Sequence, residues 1–521
     1  MENLGALACL RARMRPFWPF LVVVTGVVLG GAGGRAFGEE PAVRVQQTLD
    51  VQGECFAPAG RDAAPVRQPI TVTARFDFIE RPAGGADAGP GKAQAIRRYR
   101  DAVADLRIDG KPARTTLGQD ARVVHVALRG TAPAPYLPQA CLTREEADLL
   151  DVPFDPLLLD RLRPSGPPAA GTNWTVAADA AAGLLAIDTI EKGELTGRIT
   201  DLVDGRATLS VSGTIQGAVD GVPTRLVVEA VGTLPVREVA GTPANEPQAD
   251  GSETEGSEDE ASEDEASVDA GSAPAWEFVG AADRWDVTIR ERRQASHVAP
   301  GFEVEARVAV SRRPAAAGQG ADPAADRPAA APIASRPVDG GPGRLWYREA
   351  AGGYDLVHDA RWRLVEEGAN GTVFRLVDRG ALVAQCSITS LPRGDAAAAP
   401  AVAEVQRDVE QSLGGQFGRF VEATESVRED GTRVVRVVSA GRAGDLPFRW
   451  IHHLLIDPRG RRAAVAFMVE EPLVERFGGG DADLIAGLRF GPPAAAGTGE
   501  GEGAQPADRE ATLPRETGIS R

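Results

Sequence analysis

The feature that most restricts the fold of this chain is a two-residue period that returns many times. Val43-Arg44-Val45-Gln46-Gln47-Thr48-Leu49 and Ile70-Thr71-Val72-Thr73-Ala74-Arg75-Phe76 mix apolar and polar side chains in near alternation. Successive side chains on a strand point to opposite faces, so each segment predicts a strand with one dry and one wet face. Val123–Leu128 is a more continuously apolar run, and Ala95–Ile108 leans to strand. Leu195–Leu202 and Ala207–Gly217 flank Asp204-Gly205, a hairpin signal, and Asp220-Gly221 turns into Thr224–Leu234. Arg284–Arg290 and Phe302–Val310 alternate again: Trp285, Val287 and Ile289 share one face, as do Phe302, Val304, Ala306, Val308 and Val310. So many amphipathic strands imply an antiparallel sheet whose apolar face must be covered.

Leucine-rich sequence between these strands supplies the cover. Thr143 with Glu146 three residues on forms a capping box, and Leu149, Leu150, Val152, Phe154, Leu157, Leu158, Leu159 and Leu162 follow. Pro153 and Pro156 split this run into two short helices. Ala177–Ile187 reads as another helix. Pro243–Ala275 holds 11 acidic residues and no basic one, with Ser257-Glu258-Asp259-Glu260-Ala261 repeated at once as Ser262–Ala266. It reads as a solvated, disordered insertion between strands, which makes residues 41–313 one β-rich domain. This plan resembles the half-barrel sheet with inserted helices of LolA-like and LppX-like exported lipid carriers. The resemblance implies a hollow between sheet and helices, with Leu158, Leu159 and Leu185 as candidate lining for an apolar ligand.

A linker rich in Ala, Pro and Gly, residues 314–343, leads to a second domain at residues 344–490; residues 491–521 read as a disordered tail. Strands are expected at Gly353–His358, Ala360–Leu364, Val373–Val377 and Ala381–Ile388, then an amphipathic helix at Val402–Leu413. Four further strands and a short helix at Asp481–Ala486 precede Leu488-Arg489-Phe490. Tyr354-Asp355-Leu356 leading to Ala360-Arg361-Trp362-Arg363 resembles the opening of PsbP-like, DcrB-like domains, with Asp359-Ala360 where that family usually has Pro. The resemblance implies an antiparallel sheet with packed helices and, for most members, a non-catalytic accessory or binding role. The fold class expected for the whole chain is α+β.

The first 38 residues read as an export signal: Arg11, Arg13 and Arg15, an apolar run from Phe17, then Ala36-Phe37-Gly38 with cleavage between Gly38 and Glu39. The alternative is an uncleaved anchor over Phe17–Gly34. Either way the body lies outside the cytoplasm, where a disulfide is chemically allowed. Cys55 and Cys141, both beside loop-like sequence in the first domain, are the candidate pair. Cys386 shares parity with Leu382, Ala384 and Ile388 and reads as a core residue.

A formal net charge of −17 repels nucleic acid and anionic lipid. His452 and His453 are adjacent in a strand and point to opposite faces; His125, His297 and His358 stand alone, and no metal-ligand spacing occurs. Gly414-Gly415-Gln416-Phe417-Gly418 follows a helix and reads as its C-cap rather than a phosphate loop. No nucleophile elbow or nucleotide motif is present. The leading expectation is an exported, non-enzymatic binding or assembly protein of the cell envelope with a protein partner and no cofactor. The alternative is a carrier of an apolar ligand or lipid in the first domain, and an enzyme is the third reading. The membrane enters only if the N-terminal segment stays uncleaved.

Overall fold

The computed structural model describes residues 42–57, 66–83, 93–219, 222–239, 275–294, 301–315, 336–337, 340–350, 353–368, 371–378, 381–395 and 399–491. The expected signal segment with Gly38 and Glu39, the Asp220-Gly221 turn, His297, nearly all of the acidic stretch, most of the linker and residues 492–521 lie outside the described residues.

Six strands open the chain: β1 (Val43–Ala57), β2 (Val66–Pro82), β3 (Ala93–Ile108), β4 (Lys111–Thr116), β5 (Val123–Arg129) and β6 (Ala132–Tyr136). A two-residue β7 (Leu142–Thr143) leads into α1 (Arg144–Leu150), a 3-10 segment (Pro156–Leu162), β8 (Asn173–Thr175) and α2 (Ala178–Leu185). Then come β9 (Thr189–Val203), β10 (Arg206–Val219), β11 (Val222–Val239), β12 (Ala275–Phe278), β13 (Arg284–Arg293) and β14 (Gly301–Pro314). All of these but β7 join one thirteen-stranded sheet, whose main path is β6-β5-β3-β2-β1-β14-β13-β11-β10-β9-β8. Its pairings are antiparallel, and β14 returns to lie against β1 with Val43 opposite Pro314. The path ends at β6 and β8, so the sheet is open.

Parity runs along most of this sheet and slips at bulges such as the one between Asp77 and Phe78. In β11 every even residue from Val222 to Val236 is buried; in β1, Val45, Gln47, Leu49 and Val51 are buried while Gln46, Thr48, Asp50 and Gln52 are exposed. The wet face carries cross-strand ion pairs such as Arg290 with Glu229 (3.4 Å) and Glu305 (3.1 Å), and Arg75 with Asp101 (2.8 Å). Exposed pairs of this kind contribute little stability each, but they keep that face polar. The turn Asp204-Gly205 has positive φ at both residues (51° and 69°), the backbone that a tight β9–β10 hairpin demands.

The remaining strands are β15 (Arg344–Arg348), β16 (Tyr354–Asp359), β17 (Trp362–Gly368), β18 (Gly371–Asp378) and β19 (Ala381–Leu391), followed by α3 (Val402–Leu413). Next are β20 (Phe417–Val427), β21 (Arg433–Ala443), β22 (Leu446–Ile456), β23 (Arg462–Glu470), α4 (Val474–Phe477), α5 (Gly480–Gly487) and β24 (Leu488–Phe490). They form a seven-stranded sheet, β17-β18-β19-β23-β22-β21-β20, and a four-stranded one, β24-β16-β15-β7. Both faces of the seven-stranded sheet are covered. Phe374, Cys386, Ile451 and Phe467 pack with Phe477, Leu484 and Ile485 on one side. Val435, Val437 and Trp450 pack with Val405, Val409 and Leu413 of α3 on the other.

The α+β expectation is overturned: the molecule is built chiefly of antiparallel sheet in large units. Pro153 and Pro156 cut the leucine-rich run so that α1 holds only 7 residues and the rest is a 3-10 segment of 7. Strand parity, by contrast, extends well beyond the sequence windows that display it, and β1, β2 and β11 reach 15, 17 and 18 residues. The helices are thus patches on a sheet rather than a layer.

Candidate functional site

Hydrogen-bond register across β1 to β4 sets two rows of side chains on the dry face. Leu49, Ala74, Ala104 and Thr115 stand in line, and Val51, Val72, Leu106 and Ala113 form the next row. Ala74 and Ala104 face each other at the centre, so the floor is low there. Facing it are Leu149 of α1 with Val152 just beyond, Trp346 and Tyr347 of β15, Trp362 and Leu364 of β17, and Phe374 of β18. Between floor and roof lies a cavity of about 450 Å³, within the size range of small-molecule sites, which are mostly apolar with a few placed polar groups. Val72, Ala104, Leu106, Ala113 and Thr115 remain half-buried, whereas residues of the same face elsewhere, such as Leu209, Val211 and Val228, are fully buried.

The roof is tied to the floor by buried polar contacts. Thr143 Oγ1 accepts from the Glu146 amide (3.2 Å) and Glu146 Oε2 accepts from the Thr143 amide (3.0 Å), which completes the expected capping box of α1. Glu146 is buried and also receives Arg336 Nη1 (2.6 Å) and Nη2 (2.8 Å). Arg336 donates in addition to Asp120 (2.7 Å) and to the Cys141 carbonyl (3.1 Å). It lies within the segment read as linker, yet its side chain is buried in this cluster. β7 pairs in parallel with β15, placing Leu142 opposite Leu345 and Thr143 opposite Trp346. Arg129 reaches Asp359 (3.3 Å).

Six charged groups line the cavity beside its apolar walls: Arg144, Glu145 and Asp148 on α1, Arg348 on β15, and Glu366 and Glu367 on β17. Arg144 pairs with Asp148 (2.7 Å) and donates to the Ala360 carbonyl (3.2 Å). Arg348 pairs with Asp355 (2.8 Å) and lies over the Trp346 ring, 4.8 Å from its centroid. The Tyr347 hydroxyl donates to Glu367 (2.9 Å), and burial holds its phenol well above the usual tyrosine range.

Under the inserted helices the same dry face is filled solid. Leu158, Leu159 and Leu185, the expected ligand lining, are buried members of the main core and do not border the cavity. α2 sits close to the chain beneath it: a Cβ at Gly183 would lie 2.5 Å from the Thr131 carbonyl oxygen. The 3-10 segment is anchored by Asp155, whose carboxylate accepts from the Leu157 amide (2.9 Å) and receives Arg97 through two bonds (2.8 and 2.5 Å). Arg97 is 2% exposed, also donates to Glu80 (2.7 Å), and its guanidinium lies 5.1 Å from the Phe78 ring centroid. Cys55 stands between Gln68 and Phe302 in the sheet, while Cys141 precedes β7. Both are buried and they are not bridged to each other.

His452 and His453 point to opposite faces of β22. His453 Nε2 lies 3.0 Å from buried Asp481, which also accepts from Arg436 (2.8 Å). Burial alone would raise the Asp481 carboxyl, but the bonds from His453 and Arg436 take it down to about 2. Cys386, in the same closed core, has its thiol pushed up by burial. His125 packs edge-on against Tyr136 and His358 against Phe374. Among the described residues, no group of three or more His, Cys, Asp or Glu side chains is placed to hold a metal ion, and no helix is long and apolar enough to cross a membrane. Exposed large apolar residues, among them Val66, Val203, Val231, Leu382 and Val427, are distributed over strands of both large sheets.

The sequence placed Leu49, Val72 and Ala74 on strands, Thr143, Leu149 and Val152 at or beyond a helix start and Trp362 at a turn, but marked none of them as lining a cavity. Ala74, Ala104 and Ala113 look like any inward strand position; only their coincidence in two rows distinguishes them.

No family model and no curated protein matches the chain. Among solved structures, cyanobacterial PsbP (CyanoP) from Synechocystis sp. PCC 6803 is similar at 12% identity over 28% of this chain and 92% of that one, with a TM-score of 0.24. Pseudomonas putida OprB aligns at 6% identity over 82% and 92% of the two chains (TM-score 0.11). Pseudomonas aeruginosa OccK5 aligns at 7% identity over 82% and 96% (TM-score 0.11). Likenesses at these scores say nothing about what the chain binds.

Proposed function

We propose that this chain is an exported, non-enzymatic protein that binds an apolar ligand in the cavity between β1–β4 and the roof formed by α1 and β15–β18. The observation that carries this reading is the cavity over the rows Leu49-Ala74-Ala104-Thr115 and Val51-Val72-Leu106-Ala113, in which Val72, Ala104, Leu106, Ala113 and Thr115 stay half-buried while Leu209, Val211 and Val228 of the same face are fully buried. Apolar surface held away from water but not filled is a standing cost, and an apolar occupant removes it. The site differs from the one the sequence suggested. Leu158, Leu159 and Leu185 belong to solid core, and the hollow lies where residues 344–374 meet the sheet.

Native mass spectrometry of the purified full chain tests the reading. The expected spectrum shows an added mass that organic extraction removes, and the extracted protein takes up dodecanol. Ala104→Phe, which sets a ring in the middle of the floor, abolishes uptake while circular dichroism stays unchanged. An extracted chain that binds no dodecanol, or an Ala104→Phe variant that binds as well as the parent, overturns it.

A further inference from the structure

The charged groups around the cavity select the ligand's head. Four of the six lining charges are carboxylates: Glu145, Asp148, Glu366 and Glu367. Both guanidinium groups are already engaged, Arg144 by Asp148 and the Ala360 carbonyl, Arg348 by Asp355. Each guanidinium charge is thus already offset by a neighbouring carboxylate, so the lining presents no uncompensated positive charge to an incoming carboxylate or phosphate. Glu367 is held by the Tyr347 hydroxyl and the Ala350 amide (3.2 Å). Glu145 and Glu366 are exposed at the rim and enter no ion pair among the described residues; Arg375 acts on Glu366 only electrostatically. The two come from different elements, α1 and β17, and line the same cavity.

From this, and resting on the reading of the cavity as an apolar-ligand site, we infer that the occupant is a single-chain amphiphile with a cationic head. Its alkyl tail lies on the two rows of β1–β4 and its head sits between Glu145 and Glu366. The volume of about 450 Å³ is near the lower end for ligand sites and suits one chain rather than several. An anionic head at the same rim meets two carboxylates that enter no ion pair, and like charges within a few ångströms repel even in high dielectric.

Three probes of equal tail length separate the possibilities in calorimetric titrations of the full chain: dodecyltrimethylammonium, dodecanol and dodecanoate. The ammonium binds about tenfold more tightly than the carboxylate at low ionic strength, with the alcohol between them, and the ratio shrinks as salt screens the rim. In Glu145→Gln/Glu366→Gln the ammonium and the carboxylate bind within about twofold to threefold of each other. Dodecanoate binding as tightly as the ammonium, or a preference that survives the double substitution, overturns the charge assignment while leaving the apolar site intact. Failure of all three probes to bind overturns both.

Discussion

Two stretches of one sheet face are finished in opposite ways. Under α2 and the 3-10 segment, branched side chains from the inserted sequence fill the space: Leu158, Leu159, Leu162 and Leu184 are each 1% exposed or less. Under α1 and β15–β18, the floor offers Ala74, Ala104, Ala113 and Thr115, and the roof stops short of them. The cover in the first case is local in sequence and anchored from within, by Arg97 on Asp155. In the second most of it comes from β15–β18, more than 200 positions beyond β4, and is held at its edges, by Arg336 on Glu146 and by β7 against β15. A roof supported at its rim leaves a span, and a span over short side chains is a cavity. Solid packing and the hollow therefore occupy different parts of the same face.

The largest effect should come from breaking the anchor of the packed stretch. Asp155→Ala removes the two bonds to Arg97, leaves that buried guanidinium with Glu80 alone, and strips the cap from the 3-10 segment. Removing one partner of a buried ion pair costs up to about 3–5 kcal/mol, the upper figure for a charge left wholly uncompensated, and the lost cap adds to it. Urea unfolding of the full chain should show this loss, and the fraction of molecules still folded should take up dodecanol with unchanged affinity. Leu158→Ala acts on the same stretch through volume and should cost roughly 2–5 kcal/mol, because a side chain 1% exposed and packed beside α2 has little room to collapse. A loss of dodecanol binding in either variant would mean that the two stretches are one unit.

Alkali offers a graded version of the same test. Tyr99 is buried beside Phe78, ring centroids 4.8 Å apart. Burial pushes its phenol up to about 12 from the usual 10, against a smaller opposing pull from Arg97. A group whose folded value is raised contributes its stability in full below the unfolded value. Between pH 10 and about 12 the unfolded chain loses this proton while the folded one keeps it, so stability falls with rising pH, by about 3 kcal/mol at the top of that window. Tyr99→Phe should remove that slope in alkaline unfolding curves; a slope that persists unaltered would place its source elsewhere.

How much of this was legible in the sequence follows from what each feature depends on. Strand parity is local, so the alternation in Val43–Leu49 and Phe302–Val310 located β1 and β14, and the Thr143/Glu146 spacing located α1. The α+β class rests on two short helices in the leucine-rich run, of which one is an α-helix of 7 residues and the other a 3-10 segment of 7, too little helix beside strands of up to 18 residues. The disposition of the sheet's cover was beyond periodicity. Arg97 and Asp155 lie 58 residues apart, and Arg336 and Glu146 190; a chain read segment by segment carries no sign that such charges meet. The cavity was least legible of all. Whether an inward alanine such as Ala104 faces a leucine or a void is fixed by what arrives from the far end of the chain, and Trp346 and Tyr347 give no local indication of arriving there.

The smallest expected effects make the sharpest comparison, because one substitution can be placed in both stretches. Ala181, on α2, is 1% exposed and enclosed by core. Ala181→Leu forces extra methylenes into filled space and should cost about 1–3 kcal/mol. Ala104→Leu adds the same atoms above the floor of the hollow, where they find apolar neighbours and no clash. Gains of about 0.8 kcal/mol per buried methylene are offset there by lost side-chain freedom, so its stability should stay within about 1 kcal/mol of the parent or rise. Its dodecanol affinity should fall, since the added side chain occupies ligand space. Equal destabilisation by the two substitutions would mean that the stretch beneath α1 is as full as the one beneath α2, and the apolar-ligand reading would fall with it.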